Sequence, residues 1–169
     1  RRNYPDHADV WHLRFHWSRE KVHLLEQLRN RRYQFSPLQR VQKANGEVIH
    51  LWSASDALVL KALSIMLAEV LPISLACTHI MGHGGLKSTV QNICDQLPSY
   101  RFVLRTDVKG YYESIDHFQL MDQFANYIKD KFILNLLWQY LHRMVERSGL
   151  YQEVQKGISR GCPLSPLIG

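Results

Sequence analysis

The sequence is poor in cysteine, and Cys77, Cys94 and Cys162 stand far apart with no Cys-x-x-Cys among them. That spacing excludes a disulfide framework and a zinc knuckle, and makes a reducing, cytoplasmic setting the expectation. No apolar run approaches the roughly 20 residues that a membrane-crossing helix needs. The N-terminus, Arg1-Arg2-Asn3-Tyr4-Pro5, has no apolar stretch of the kind a secretory signal carries. It also lacks an initiator Met, as a fragment or a processed chain would. No internal repeat or low-complexity segment is visible. What is present is a chain of 169 residues, 46% hydrophobic and 21% charged, enough for a packed core of one domain or one and a half. The net charge of +6 favours a polyanionic partner such as nucleic acid.

Residues 8–17 mix aromatics with His12 and His16. Histidines at i and i+4 can bind zinc on a helix, but no acid or cysteine stands nearby, so aromatic packing is the better reading. Residues 18–32 predict a helix capped by Ser18, with Val22, Leu25 and Leu28 on one face. It ends in Arg29, Arg31 and Arg32, either a solvated face or a phosphate contact. Residues 38–51 predict a β-hairpin turning at Asn45-Gly46, the preferred type I′ dipeptide. Lys43, just before that turn, is either an edge-strand lysine that discourages aggregation or a cation within reach of a polyphosphate.

Ser53 and Asp56 form a capping pattern ahead of a helix that Pro72 stops. The helix is apolar almost all round, so burial on several sides is expected. Gly82, Gly84 and Gly85 precede a further helix start. Backbone N–H groups there, with Lys87 and Ser88, can bind phosphate, although the spacing is not that of a Walker loop. Residues 101–106 predict a short strand, and 117–128 and 130–147 two helices. The second helix carries a stripe of Ile133, Leu136, Leu137, Tyr140, Leu141 and Met144, a core or partner face. Residues 151–169 read as a hairpin, a tight turn and a helix start at Ser165-Pro166.

The stretch RTDVKGYYESIDH, residues 105–117, is the most informative. A carboxylate at the end of a strand can hold a hard cation facing a cleft, and Mg²⁺ takes oxygen ligands together with substrate phosphates. Asp107 suits that role, with the Val108 carbonyl beside it. The turn through Gly110 exposes backbone N–H groups where phosphates would sit, and Tyr112 could wall the pocket against a sugar. Asp116 has a plainer explanation as the N-cap of the next helix, with Gln119 three residues on. One carboxylate is not enough for two-metal chemistry, and a lone Asp at a strand end is more often structural than catalytic.

DVKGYYESIDH resembles the Asp-centred palm motif of reverse transcriptases of the group II intron, retron and related bacterial types. GISRGCPLSP, 157–166, resembles the glycine-rich turn and Ser-Pro that follow in the same enzymes. Upstream, YQFSPLQRV with its hairpin, SDALVLKALSIML and GHGGLKSTV resemble the fingers elements, in the right order. The resemblance covers residue 30 to the last residue. It implies an α+β fold: fingers with an N-terminal extension over 1–100, and a partial palm over 101–117 and 151–169 with helices 118–150 inserted on the fingers side. A small antiparallel sheet would carry Asp107.

The resemblance implies an RNA-directed DNA polymerase, joining a dNTP to a primer 3′-OH with two Mg²⁺ ions. Asp107 would be the catalytic metal ligand, with Val108 as second ligand. Lys43, Gly110, Tyr111, Tyr112, Arg160 and Gly161 would bind the nucleotide, Tyr112 as the gate against a 2′-OH. Gly84, Gly85, Lys87 and Ser88 would touch the template. The implied partners are an RNA template, a primer/cDNA duplex and dNTP, with no membrane. Three departures stand out. Arg160 occupies a position that is commonly Gln, and no arginine follows the hairpin turn, where His50 is the nearest candidate for a second triphosphate-binding cation. The Tyr-x-Asp-Asp turn with the remaining carboxylates is absent, so the chain is expected to be inactive alone and to be able to pair with another copy through helix 130–147. The competing readings are a catalytically silent nucleic-acid-binding module and a protein-binding domain in which Asp107 is incidental.

Overall fold

Leu24 and Leu28, one helical turn apart, give the N-terminal region its inward face. In the computed structural model residues 6, 8–42, 45–46, 48–80 and 82–169 are described, the Arg147 side chain excepted. Helix α1 (Asp9–Phe15) runs into α2 (Trp17–Arg29) through His16. Ser18 is therefore inside α2 rather than its cap. The expected face is also displaced: Leu24 is buried, whereas Val22 and Leu25 are exposed. His12 and His16 contact each other ring to ring at 4.6 Å, the aromatic packing expected of them.

Strands β1 (Gln39–Gln42) and β2 (Val48–Leu51) pair antiparallel, with Gln42 opposite Val48. The described pairing ends at Gln42 and Val48; between them only Asn45 and Gly46 are described, so the two-residue turn expected there lies partly outside the described residues. Lys43 lies outside the described residues.

Helix α3 (Ala54–Leu67) begins as its sequence dictates. Ser53 Oγ accepts the Asp56 N–H at 3.1 Å, and Asp9 of α1 accepts the Ala54 N–H at 2.6 Å. Its burial differs from expectation. Val59, Leu60, Leu63 and Leu67 are buried, but Ile65 on the other face is 55% exposed. The helix also ends before Pro72, and residues 68–70 form a turn, in keeping with the crowding that proline imposes on the residue before it.

Asp56 is more than part of a cap. It is 1% exposed, and its carboxylate accepts from Tyr33 Oη at 2.7 Å, Ser53 Oγ at 2.7 Å and the Ser36 N–H at 3.2 Å. Burial, followed by the Asp56 charge, pushes the Tyr33 hydroxyl well above its usual range, so it stays protonated and donates. Asp56→Asn turns an NH₂ toward these donors and should cost about 1–3 kcal/mol. The expected result is a lower urea midpoint at unchanged m-value.

Helix α4 (Gly85–Gln96) follows, then a single 3₁₀ turn (Leu97–Ser99). Residues 102–106 carry no regular secondary structure and pair with no strand among the described residues. The strand expected over 101–106 is thus not formed among the described residues, and Phe102 is 85% and Leu104 87% exposed. The one-turn helix α5 (Tyr111–Ser114) leads to α6 (His117–Tyr127), which Asp116 caps by accepting the Gln119 N–H at 3.0 Å.

Helix α7 (Lys131–Leu141) packs on α6. Its cap, Asp130, accepts the Phe132 N–H at 2.7 Å and pairs with Arg31 at 2.9 Å. Those backbone and guanidinium partners hold the Asp130 carboxyl below its usual range. Arg31 thus ties the end of α2 to the start of α7, a role separate from both readings of the basic cluster.

The predicted helix 130–147 stops at Leu141. Residues 144–147 form β3 (Met144–Arg147), antiparallel to β4 (Leu150–Glu153) across Ser148-Gly149, both at positive φ. The hairpin expected after residue 151 is displaced accordingly. Leu38 joins the two hairpins: its N–H donates to Met144 O and its carbonyl accepts from Glu146 N. The short helix α8 (Ser165–Ile168) starts at Ser165-Pro166 as expected.

One core gathers Leu24, Leu60, Leu67, Phe124, Leu137 and Leu164. The stripe suspected of pairing with a second copy is turned inward, since Leu136, Leu137, Tyr140 and Leu141 are all buried. The architecture is α+β, with two small antiparallel sheets, and neither carries Asp107. No helix among the described residues is long and apolar enough to cross a membrane.

Candidate functional site

Gly110 sets the local geometry of the site. It sits at φ +64°, conformationally cheap for glycine, and its carbonyl accepts from Glu113 N and Ser114 N to wind the single turn of α5. The turn places Asp107 on one side and Tyr111 and Tyr112 on the other. The second half of the site arrives from residues 157–165. Gly157, at φ +82°, donates its N–H to Ile115 O at 2.8 Å, and Ile158 N donates to Tyr112 O at 2.7 Å.

An aromatic ladder supports this second half from behind. Tyr33, Phe35, Trp52 and Tyr140 follow ring against ring, with Trp52 stacked on Tyr140 at 5.8 Å. Trp52 Nε1 donates to Ser159 Oγ at 3.0 Å. Tyr140 and Ser165 share a hydroxyl contact at 2.9 Å, and Ser165 Oγ donates to Ser159 O. Burial raises the Tyr140 hydroxyl and the Cys162 thiol above their usual ranges, so both stay neutral in this packing.

Together the two halves enclose an open cleft of about 640 Å³. Asp107, Val108, Gly110, Tyr111, Tyr112 and Arg160 all line it. Residues more than 40 positions apart in the chain thus share one wall. Gly161, next to Arg160, is exposed but is not among the lining residues. The template candidates lie outside this cleft, at the start of α4. Gly84 is its N-cap at φ +88° without a side-chain cap, Gly85 is its first residue, and Lys87 and Ser88 are exposed.

Two lining or neighbouring residues were not among those singled out from the sequence. His79 lines the cleft and donates from Nε2 to Pro166 O at 2.8 Å. Glu113 pairs with Arg160 at 3.0 Å, both side chains exposed. Their only sequence signal is position: His79 stands just ahead of the glycine-rich loop and Glu113 follows the tyrosine pair. His50, the stand-in for a second cation, has its pKa lowered by burial, then by Arg143 and Arg40, which favours an uncharged imidazole.

The donor set gives a mixed answer on a metal. Asp107 and the Val108 carbonyl are hard oxygen donors of the kind Mg²⁺ accepts, and Mg²⁺ can be held by one or two carboxylates completed by substrate phosphates. Among the described residues no group of three His, Cys, Asp or Glu side chains could hold a metal by itself.

No family model matches the chain. It is 25% identical over 159 residues to Protein YkfC of Escherichia coli (strain K12), across 86% of this chain and 41% of that protein. Its backbone is similar to chains of two solved structures, the partial Cas6-RT-Cas1–Cas2 complex and the Cas6-RT-Cas1–Cas2 complex. In each the TM-score is 0.58 and the identity 19% over 89% of this chain. The matched part is 28% and 17% of those chains, so this chain spans less than half the length of each of these relatives. At that identity the likeness is one of fold: the chain shares its α+β architecture with part of a chain from an RT-containing complex.

Proposed function

We propose that this chain forms the fingers, residues 1–100, and a partial palm, residues 101–169, of an RNA-directed DNA polymerase. The inserted segment 118–150, which carries most of α6, all of α7 and strand β3, belongs to the fingers side. The reaction is template-directed transfer of a nucleotide from dNTP to a primer 3′-OH, and its partners are an RNA template and a primer/cDNA duplex. The observation that carries this reading is the cleft itself, where Asp107, Tyr112 and Arg160 meet although the sequence separates them widely.

In this role Asp107 and the Val108 carbonyl would hold Mg²⁺. Bound Mg²⁺ would supply charge neutralisation at the phosphates. The remaining work falls to this chain's own groups. The N–H groups of Gly110 and Tyr111 would receive phosphate oxygens. Tyr112, held from behind by Ile158 N, would wall the sugar. Arg160 is engaged by Glu113 in an exposed pair, which is worth at most about 1 kcal/mol, so turning it toward a triphosphate costs little. The uncapped start of α4, with Lys87 and Ser88, would meet the template backbone. A second reading, a catalytically silent nucleic-acid-binding module, is favoured by the absence among the described residues of an acidic cluster able to hold a metal alone.

A labelled RNA–DNA primer–template tests both. Binding by this chain, followed by fluorescence anisotropy, should weaken at least about tenfold between 50 and 200 mM salt. Extension of the primer by the native protein with Mg²⁺ and dNTPs then separates the polymerase from the silent module. Salt-indifferent binding, or none, would remove both readings.

A further inference from the structure

His117 is the least exposed imidazole described, at 1%, and it takes no part in the chemistry above. Its Nε2 lies 2.8 Å from Gly157 O, and a carbonyl only accepts, so Nε2 carries the proton. Nδ1 is buried, and no group among the described residues hydrogen-bonds to it. The same carbonyl receives Arg143 Nη1 at 3.0 Å. Gly157 is also the residue whose N–H reaches Ile115 O, and its neighbour Ile158 holds Tyr112 O. Three residues beyond Gly157 stands Arg160. The N–H groups of Gly157 and Ile158 thus join the turn that leads to Arg160 to the segment that carries Tyr112, and two side chains anchor the Gly157 carbonyl between them.

Resting on the nucleotide reading of the cleft, we propose that His117 is a positioning residue: its neutral ring anchors Gly157 O, and a second proton releases the turn that carries Arg160 from Tyr112. Protonation would put a charged N–H on the buried Nδ1, where no side-chain or backbone acceptor among the described residues meets it. The groups around the ring give the balance. The hydrogen bond to the Gly157 carbonyl and, after it, Asp116, one residue before, favour the proton. Arg143, on the same carbonyl, and His142, with ring centroids 4.7 Å away, oppose it. Burial opposes it most and pushes the ring below its ordinary value. The sign follows: the anchor is complete above about pH 6.5, the ordinary imidazole value, and is lost as pH falls through the ring's lower one.

The experiment is amide hydrogen exchange of Ile158, corrected for its intrinsic rate, from pH 7.5 to 5, with the tautomer of His117 followed by nitrogen NMR. Parent protein should show the Nε2–H tautomer, and its protection should fall about tenfold on acidification, the worth of roughly one hydrogen bond. His117→Gln keeps an N–H donor and cannot titrate, so protection should persist across the range. His117→Phe should show the reduced, about tenfold lower protection throughout, with unchanged helix content by circular dichroism. An acid transition that survives in His117→Gln overturns the proposal, as does full protection in a folded His117→Phe. If the phenylalanine variant does not fold, the parent and glutamine pH series decide alone. Binding of dATP with Mg²⁺ by the same proteins separates the two levels. Coupled protection without any dATP binding keeps His117 as the anchor and removes the nucleotide reading.

Discussion

Asp107→Asn should abolish primer extension by the native protein, lowering its rate by at least about a hundredfold, since losing even a group that only supports a metal ligand costs 10- to 100-fold. The substitution keeps shape and removes charge, so it isolates the carboxylate as a ligand for a hard cation. Asp107 is exposed, in an irregular segment that pairs with no strand among the described residues, so stability should stay within about 0.5 kcal/mol of the parent. Urea unfolding beside the extension assay checks both halves. Extension lost with stability kept supports a metal-binding role. Equal extension by both proteins removes Asp107 from the chemistry. No extension by either, with salt-sensitive RNA binding retained, selects the silent module.

Gly157→Ala should be the most damaging single methyl group near the cleft. Gly157 lies at φ +82°, and a Cβ there would stand 2.7 Å from Tyr112 O and 2.9 Å from Glu113 Cα. These are backbone atoms and cannot swing aside as a side chain would. The left-handed conformation costs about 1–2 kcal/mol for alanine, and overpacking adds about 1–3 kcal/mol. The sum approaches half the total stability of an ordinary domain, about 5–15 kcal/mol. Chemical denaturation should show it directly. The same variant should also free Ile158 N from Tyr112 O, so its amide exchange should accelerate even where the fold survives. Gly161→Ala is the control, since a Cβ at Gly161 meets nothing within 4 Å and only its φ of +72° is strained.

Much of the local structure was legible because its causes lie within a few residues. Ser53 reaches Asp56, Asp116 reaches Gln119, and the Ser165-Pro166 start of α8 needs only proline's fixed φ. The apolar stripe of α7 follows from its spacing, although its partner could not be read, and it proved to be this chain's own core. The sequence stretch around Asp107 and the glycine-rich turn at 157 were both visible as special.

The rest depended on neighbours far along the chain. The β3–β4 hairpin overrode a helical pattern because Met144 and Glu146 could pair through Leu38, about a hundred residues upstream. The strand expected over 101–106 stayed unpaired because a strand needs a partner's hydrogen bonds, and no local pattern supplies one. The aromatic ladder, the Glu113–Arg160 pair and the His117 contact with Gly157 join residues whose separations carry no period. The sequence alone determined the Ser53 and Asp116 caps, the Ser165-Pro166 helix start and the turn at Gly110, because capping and backbone sterics act within one turn of chain. Tertiary structure alone decided that Asp107, Tyr112 and Arg160 share one cavity, because meeting in space depends on burial and long-range hydrogen bonds summed over the whole core.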